Sequence, residues 1–181
     1  MILSDSELVE MLREPRTRRE GFAALVKQYS EKLYWKVRRI VLSHEDANDV
    51  LQNVFIKVWS NLQNFQGKSS LSTWLYRIAV NESLDFLRKQ KLLDRVSADE
   101  DVSVASRLMS DEYFDGDEVQ ARLQEAVARL PEVQRTVFNL KYFEEMKYSE
   151  MSQILNTSEG ALKASYHLAV KKITEYLHLF D

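Results

Sequence analysis

Apolar residues recur along most of the chain at three- and four-residue steps, and that spacing predicts helices. A short helix covers Asp5 to Leu12 and stops near Pro15, and Phe22, Leu25, Val26, Tyr29, Leu33, Val37, Ile40 and Val41 mark the buried face of a longer one. Leu51, Val54, Phe55, Val58, Trp59 and Leu62 mark a third. The loop NFQGKSS, residues 64–70, interrupts the pattern with Gly67 and leads into LSTWLYRIAVNESLDFLRKQK, where Leu71, Leu75 and Ile78 point to one side.

The periodicity then lapses. Between Val96 and Glu118 stand eight acids (Asp99, Glu100, Asp101, Asp111, Glu112, Asp115, Asp117, Glu118) against one base, Arg107, so this stretch carries −7 and the rest of the chain +4. With Ser97, Ser103, Ser106, Ser110 and Gly116 interspersed, it reads as a tether that buries too little apolar surface to order itself. A long solvated loop within one domain is the other reading, though loops of this length are unusual in compact domains.

Helical spacing resumes with Val119, Leu123, Val127 and Leu130, predicted to be a buried face, and Pro131 suits the first turn of the next helix. Val133, Val137, Phe138, Leu140 and Tyr142 continue the apolar pattern. A short helix through Met151, Ile154 and Leu155 then meets the turn residues Asn156, Thr157 and Ser158, and Ser158 can cap the longer helix that follows. This is helix-turn-helix spacing. Leu162, Tyr166, Ala169, Ile173 and Leu177 are its expected buried side.

The expected fold is all-α: two small helical modules, residues 1–92 and 118–181, joined by an acidic flexible linker over residues 93–117, with the helix-turn-helix in the second. Composition agrees, since only four Gly and two Pro occur in 181 residues. The chain has no Cys, which excludes disulfides and thiolate metal sites. Its start, MILSDSELVEML, carries acids where a secretory leader carries bases, and no stretch approaches the roughly 18 uncharged apolar residues of a membrane span. A soluble cytoplasmic protein without direct membrane insertion is therefore expected.

Three polar faces invite chemistry. Asp46, Asp49, Gln52, Asn53 and Ile56 fall on one stripe of the third helix, opposite its core side. Such a stripe can be the wet side of an amphipathic helix, but an apolar Ile56 among acids and amides also suits a protein-binding face. On the fourth helix Arg77, Asn81, Asp85 and Arg88 share a stripe beside Trp74. Phe65, Trp74 and Tyr76 among Lys68, Arg77 and Arg88 offer stacking surfaces in a positive field, which captures unstacked bases, and Asn81 can donate to and accept from a base edge. The same aromatics could be core, with Arg77 and Asp85 an internal ion pair. Finally, Lys163, His167 and Lys171 lie at i, i+4 and i+8 on the free face of the last long helix, with small Gly160 and Ala164 on that side. An acidic chain that gathers bases on one helix face is placing them for phosphates and base edges. Two short helices at a turn also occur in bundles that never touch DNA.

Together these blocks resemble the bacterial RNA polymerase sigma factors, in particular the compact extracytoplasmic-function group. DANDVLQNVFIKVW resembles the polymerase-docking region, FQGKSSLSTWLYRIAVNESLDFLRK the part that melts and reads the minus-ten element, and LPEVQRTVFNLKYFEEMKYSEMSQILNTSEGALKASYHLAVKKI the reader of the minus-thirty-five element. The resemblance implies a transcription initiation factor, not an enzyme, that needs no cofactor or metal. It implies binding to core RNA polymerase, through the clamp helices of the β-prime subunit and the β flap, to promoter DNA and to an anti-sigma factor. It assigns Asp46, Asp49, Gln52, Asn53 and Ile56 to polymerase docking. Phe65, Lys68, Ser69, Ser70, Trp74, Arg77, Asn81 and Arg88 go to the minus-ten element, and Ser158, Lys163, Ala164, His167 and Lys171 to the minus-thirty-five element. It also implies that the linker passes through the nascent-RNA channel. The chain departs from the family at Ser165, Leu168 and Val170, where an Arg-rich continuation is common, and at Lys147, where a small capping residue is usual.

Three rival readings differ in kind, one of them a helical adaptor with no nucleic-acid role, which predicts that neither DNA nor polymerase binds. A helix-turn-helix regulator that does not recruit polymerase leaves the stripe from Asp46 to Ile56 and Asn81 unexplained. An enzyme could use His44, Glu45, Asp46 and Asp49 as metal ligands, yet no HExxH pattern, nucleophile elbow or phosphate loop accompanies them.

Overall fold

The computed structural model describes residues 3–93 and 116–180, and every regular element among them is helical. The chain divides into two compact units, residues 1–95 and 96–181. Most of the predicted linker, residues 94–115 with Asp99, Glu100, Asp101, Asp111, Glu112 and Asp115, lies outside the described residues.

The first unit contains α1 (Asp5–Arg13), α2 (Arg18–Val41), α3 (His44–Asn61), a 3-10 turn (Leu62–Asn64) and α4 (Leu71–Leu93). Side chains that satisfy otherwise orphaned backbone groups set their ends. Ser4 accepts from the Glu7 amide while the Glu7 carboxylate accepts from the Ser4 amide, a capping box that starts α1. Leu42 takes a left-handed conformation (φ 69°) to close α2, and Ser43 immediately caps α3 through the Asp46 amide. Gly67 (φ 71°) turns the loop, and the Ser70 hydroxyl accepts from the Thr73 amide at the start of α4.

Of the predicted faces, Leu25, Tyr29, Leu33, Val37, Ile40, Val54, Val58, Leu71 and Leu75 are buried and Phe22, Val26, Leu51, Phe55, Leu62 and Ile78 half-buried, while Val50 on α3 and Leu8 and Leu12 on α1 add to the core. Each fully buried Leu or Val is worth about 1.5–3 kcal/mol relative to exposure. Polar links join the helices as well. The Tyr29 hydroxyl donates to Asp5, Lys57 pairs with Glu82 between α3 and α4, and the Lys36 ammonium stands over the Tyr76 ring. Trp59, expected in the core, is 42% exposed; its ring leans edge-on against Phe22 at 5.0 Å rather than entering the interior.

The second unit contains α5 (Glu118–Ala128), α6 (Glu132–Phe138), a π-helical turn (Asn139–Phe143), α7 (Tyr148–Leu155), α8 (Glu159–Leu177) and a final 3-10 turn (His178–Phe180). Asp117, counted among the linker acids, caps α5 by accepting from the Gln120 amide at 2.9 Å. Pro131 stands at the N-cap of α6, one place before the helix. Ala126, Val127, Leu130, Phe138, Ala169 and Ile173 form a core cluster flanked by Leu123, Tyr166 and Leu177, so α8 is the strut on which α5 and α6 rest.

Three residues expected inside this unit are outside: Val119, Val133 and Tyr142 are 72%, 63% and 51% exposed. Val119 shares a helical face with Leu123 but lies one turn before it, at the end of α5, and Val133 stands likewise before Val137. Periodicity reports direction, not how far a neighbour reaches. Tyr142 is turned out by the π-helical turn, which instead buries Asn139 and Leu140.

Candidate nucleic-acid interface

The capped start of α3 fixes the rotation of its polar stripe. Asp49, Gln52, Asn53 and Ile56 are exposed, Ile56 at 63%, and Asp46 is half-buried beside the Ser43 cap. An exposed Ile gains nothing within the fold, so its place is a surface property. His44, the imagined metal ligand, has both ring nitrogens engaged, Nδ1 with the Tyr34 hydroxyl at 2.7 Å and Nε2 with Asn48 Nδ2 at 3.1 Å.

On α4 the loop folds back so that Phe65 and Trp74 meet, centroids 5.1 Å apart and rings tilted by 48°. Lys68 is exposed and Ser69 half-buried, while the Ser70 hydroxyl is committed to the helix cap and to Ser72 and Thr73. Asn81 is exposed along the stripe. Arg77 is half-buried with its Nε enclosed, and Asp85 pairs with Arg88 at 2.7 Å. The structure thus brings Phe65, Trp74, Arg77, Asn81 and Arg88 onto one side of the unit's last helix. Tyr76 is engaged elsewhere, since Lys36 from α2 covers its ring at 3.9 Å. Burial, reinforced by Arg39 and Lys32, brings the Lys36 ammonium down to about 8, and burial brings the Arg39 guanidinium down to about 10.

The helix-turn-helix is built as the sequence implies. Asn156 takes a left-handed conformation (φ 50°, ψ 46°) that ends α7, and two residues later the Ser158 hydroxyl accepts from the Ala161 amide and starts α8. Leu162, Ala169 and Ile173 are buried, Tyr166 and Leu177 half-buried, and Lys163, Ala164, His167 and Lys171 exposed. A Cβ at Gly160 would find no atom within 4 Å beyond its own stretch of helix, so a side chain there would meet open space. Leu168 and Val170 present apolar surface on the same helix, 46% and 38% exposed. Lys147 caps α7 without a side-chain hydrogen bond.

Sequence reasoning missed the groups that hold the bases in place. Lys171 pairs with Glu175 at 3.9 Å, and Lys163 stands over the ring of Tyr148, 5.6 Å from its centroid. The first pair is legible as an i, i+4 spacing; the second joins different helices and leaves no periodic trace.

Known proteins match both units. The profile described as Sigma-70 region 2 covers residues 25–92, and that described as Sigma-70, region 4 covers residues 120–173. The chain is 33% identical over 157 residues, 82% of its length and 84% of the relative's, to the ECF RNA polymerase sigma factor SigW of Bacillus subtilis. The chain belongs to the extracytoplasmic-function RNA polymerase sigma factors. The RNA polymerase sigma-H factor of Pseudomonas aeruginosa is 30% identical over 96% of this chain and 93% of its own. In fold, the sigma factor RpoE of Bartonella quintana, solved in complex with the anti-sigma factor NepR, superposes with a TM-score of 0.71 at 20% identity, covering 88% of this chain and 98% of its own. This sigma factor is therefore an RNA polymerase-binding transcription initiation factor that acts at promoter DNA, and the reading as a regulator without polymerase is not favoured.

Proposed function

We propose that the three faces divide the work of initiation. The α3 stripe, Asp46, Asp49, Gln52, Asn53 and Ile56, docks on the clamp helices of the β-prime subunit. Phe65, Lys68, Ser69, Trp74, Arg77, Asn81 and Arg88 hold the melted minus-ten strand, with Ser70 fixing the loop that carries them. Lys163, Ala164, His167 and Lys171 meet the duplex of the minus-thirty-five element, with Ser158 setting the pose of α8. Residues 1–92 and 118–181 act as the two functional modules, the second also meeting the β flap, and residues 93–117 join them.

The reading rests on the coincidence of exposed, chemically distinct faces with the two matched sigma regions. Opening DNA costs a few kcal/mol per unstacked base, and stacking on Trp74 with a hydrogen-bonding seat at Asn81 offsets it. The chain supplies no catalytic step of its own. It acts in the cytoplasm, where polymerase is, and an anti-sigma protein covering these faces restrains it.

Transcription by purified core RNA polymerase on a pool of promoter fragments, with start sites sequenced, tests the reading. Discrete starts that require the chain are expected. No chain-dependent starts, with a cognate polymerase that binds the chain, would overturn it.

A further inference from the structure

We infer that Tyr148 is a positioning residue for Lys163, keeping that ammonium available to promoter phosphate instead of letting its own helix neutralise it. The inference deepens, and rests on, the assignment of α8 to duplex DNA. The two outermost lysines of the free face have different surroundings. Lys171 is drawn toward Glu175, one turn further along α8, at 3.9 Å. Lys163 has an equivalent acid, Glu159, one turn earlier, and Glu to Lys at i, i+4 in that order is the favoured orientation for a helical ion pair. The Lys163 ammonium nevertheless lies over Tyr148, 5.6 Å from the ring centroid.

The ring itself is held. Tyr148 is the first residue of α7 and half-buried, and Lys141 approaches the same ring at 5.0 Å while donating to the Met146 carbonyl at 3.3 Å. Lys141 thus anchors one side of the ring to the backbone that leads into α7. A cation over an aromatic keeps its charge, because the ring quadrupole attracts without neutralising. A carboxylate partner would cancel it and remove one phosphate contact. Tyr148 therefore restricts Lys163 to a direction off the helix while leaving its charge for DNA.

The test uses the full chain bound to core polymerase, measuring retention of a promoter fragment on filters across a potassium chloride series. Lys163→Met comes first: weaker binding with a shallower salt dependence is expected, and no effect would overturn the assignment of α8 and the inference with it. Given that effect, Tyr148→Leu should weaken binding about two- to five-fold, the range of an exposed cation–π contact, and Tyr148→Phe, which keeps the ring, should match the parent. Glu159→Gln should help binding more in the Tyr148→Leu background than in the parent, because only there has Lys163 been released to Glu159. That difference is a readout that simple loss of packing would not produce, and circular dichroism melts check that each variant is folded. Parent-like binding by Tyr148→Leu, equal losses in Leu and Phe variants, or equal gains from Glu159→Gln in both backgrounds would each overturn the inference while leaving the role of α8 intact.

Discussion

The Lys36 ammonium lies 3.9 Å from the centroid of the Tyr76 ring, joining α2 to α4, the helix proposed to present the minus-ten face. Tyr76 sits between Trp74, which packs on Phe65, and Arg77, so the contact constrains the backbone that presents them.

The charge of Lys36 is titratable near physiological pH. Burial, then Arg39 and Lys32, bring it from 10.5 to about 8. Between those values the unfolded chain binds the proton that the folded chain has released, so this group makes stability rise with pH over that window. Tyr29 acts oppositely: burial first, then its bond to Asp5, raise its hydroxyl, so its contribution is full below 10 and is lost at higher pH. The difference in unfolding free energy between the parent and Lys36→Met should therefore change from pH 8 to pH 9.5 in favour of the parent. Urea denaturation followed by tryptophan fluorescence isolates the effect, because Trp35, Trp59 and Trp74 all belong to the first unit. A pH-independent difference would show that Lys36 does not titrate there.

The helix α1 precedes the matched Sigma-70 region 2, which begins at residue 25, yet it is built into the first unit. A Cβ on Gly21 would stand 2.7 Å from the Met11 Cβ and 3.2 Å from the Met11 carbonyl carbon. Gly21→Ala should push α1 off α2 and cost about 1–3 kcal/mol, the range for overpacking. The same fluorescence-detected denaturation reads it; an unchanged midpoint would mean that α1 rides outward without loss.

Much of this architecture was legible in the sequence, and the failures share a cause. The buried faces of α2, α4 and α8, the break at Gly67, and the turn from Asn156 to Ser158 all follow from local rules: period, positive φ and capping. Trp59, Val119 and Val133 obey the same period yet lie outside, because burial at the end of a helix depends on where its neighbour stops, and Tyr142 is turned out by the π-helical turn. The π-helical turn at Asn139–Phe143 has no periodic mark at all. In the candidate site the exposed side chains were legible as stripes. Their holders, Lys36 for Tyr76 and Tyr148 for Lys163, act between helices and become visible only when the chain is folded.

Asn81 should separate promoter opening from polymerase binding. It is exposed on α4, so Asn81→Ala removes no core contact and should leave stability within about 0.5 kcal/mol, the usual range for surface changes. Permanganate reactivity of promoter thymines should fall sharply while co-purification with core polymerase persists. Lost polymerase binding would move Asn81 to the docking surface.

Asp49 and Gln52, neighbours on the exposed stripe of α3, should do the reverse. Asp49→Arg with Gln52→Ala exchanges an acid for a base and removes an amide without touching the buried face of Ala47, Val50, Val54 and Val58. Like-charge juxtaposition at a docking face costs several kcal/mol, so binding to core polymerase should drop by orders of magnitude in a protein that melts like the parent. Retained binding would sink the docking assignment.

Ser158 carries two assignments that one pair of variants can part. Its hydroxyl accepts from the Ala161 amide at 3.3 Å and so opens α8. Loss of such a cap costs about 1 kcal/mol, and Asp caps as well as Ser does, with its charge further favoured by the helix dipole. Ser158→Ala should therefore lower the melting temperature of the second unit, whereas Ser158→Asp should not, as followed by circular dichroism. Promoter binding should respond in the opposite order if α8 lies in the groove as proposed, because a carboxylate at its start would repel phosphate while Ala is merely silent. If Ser158→Asp binds promoter as well as the parent, that end of α8 stands away from the DNA, and Ser158 is a cap only.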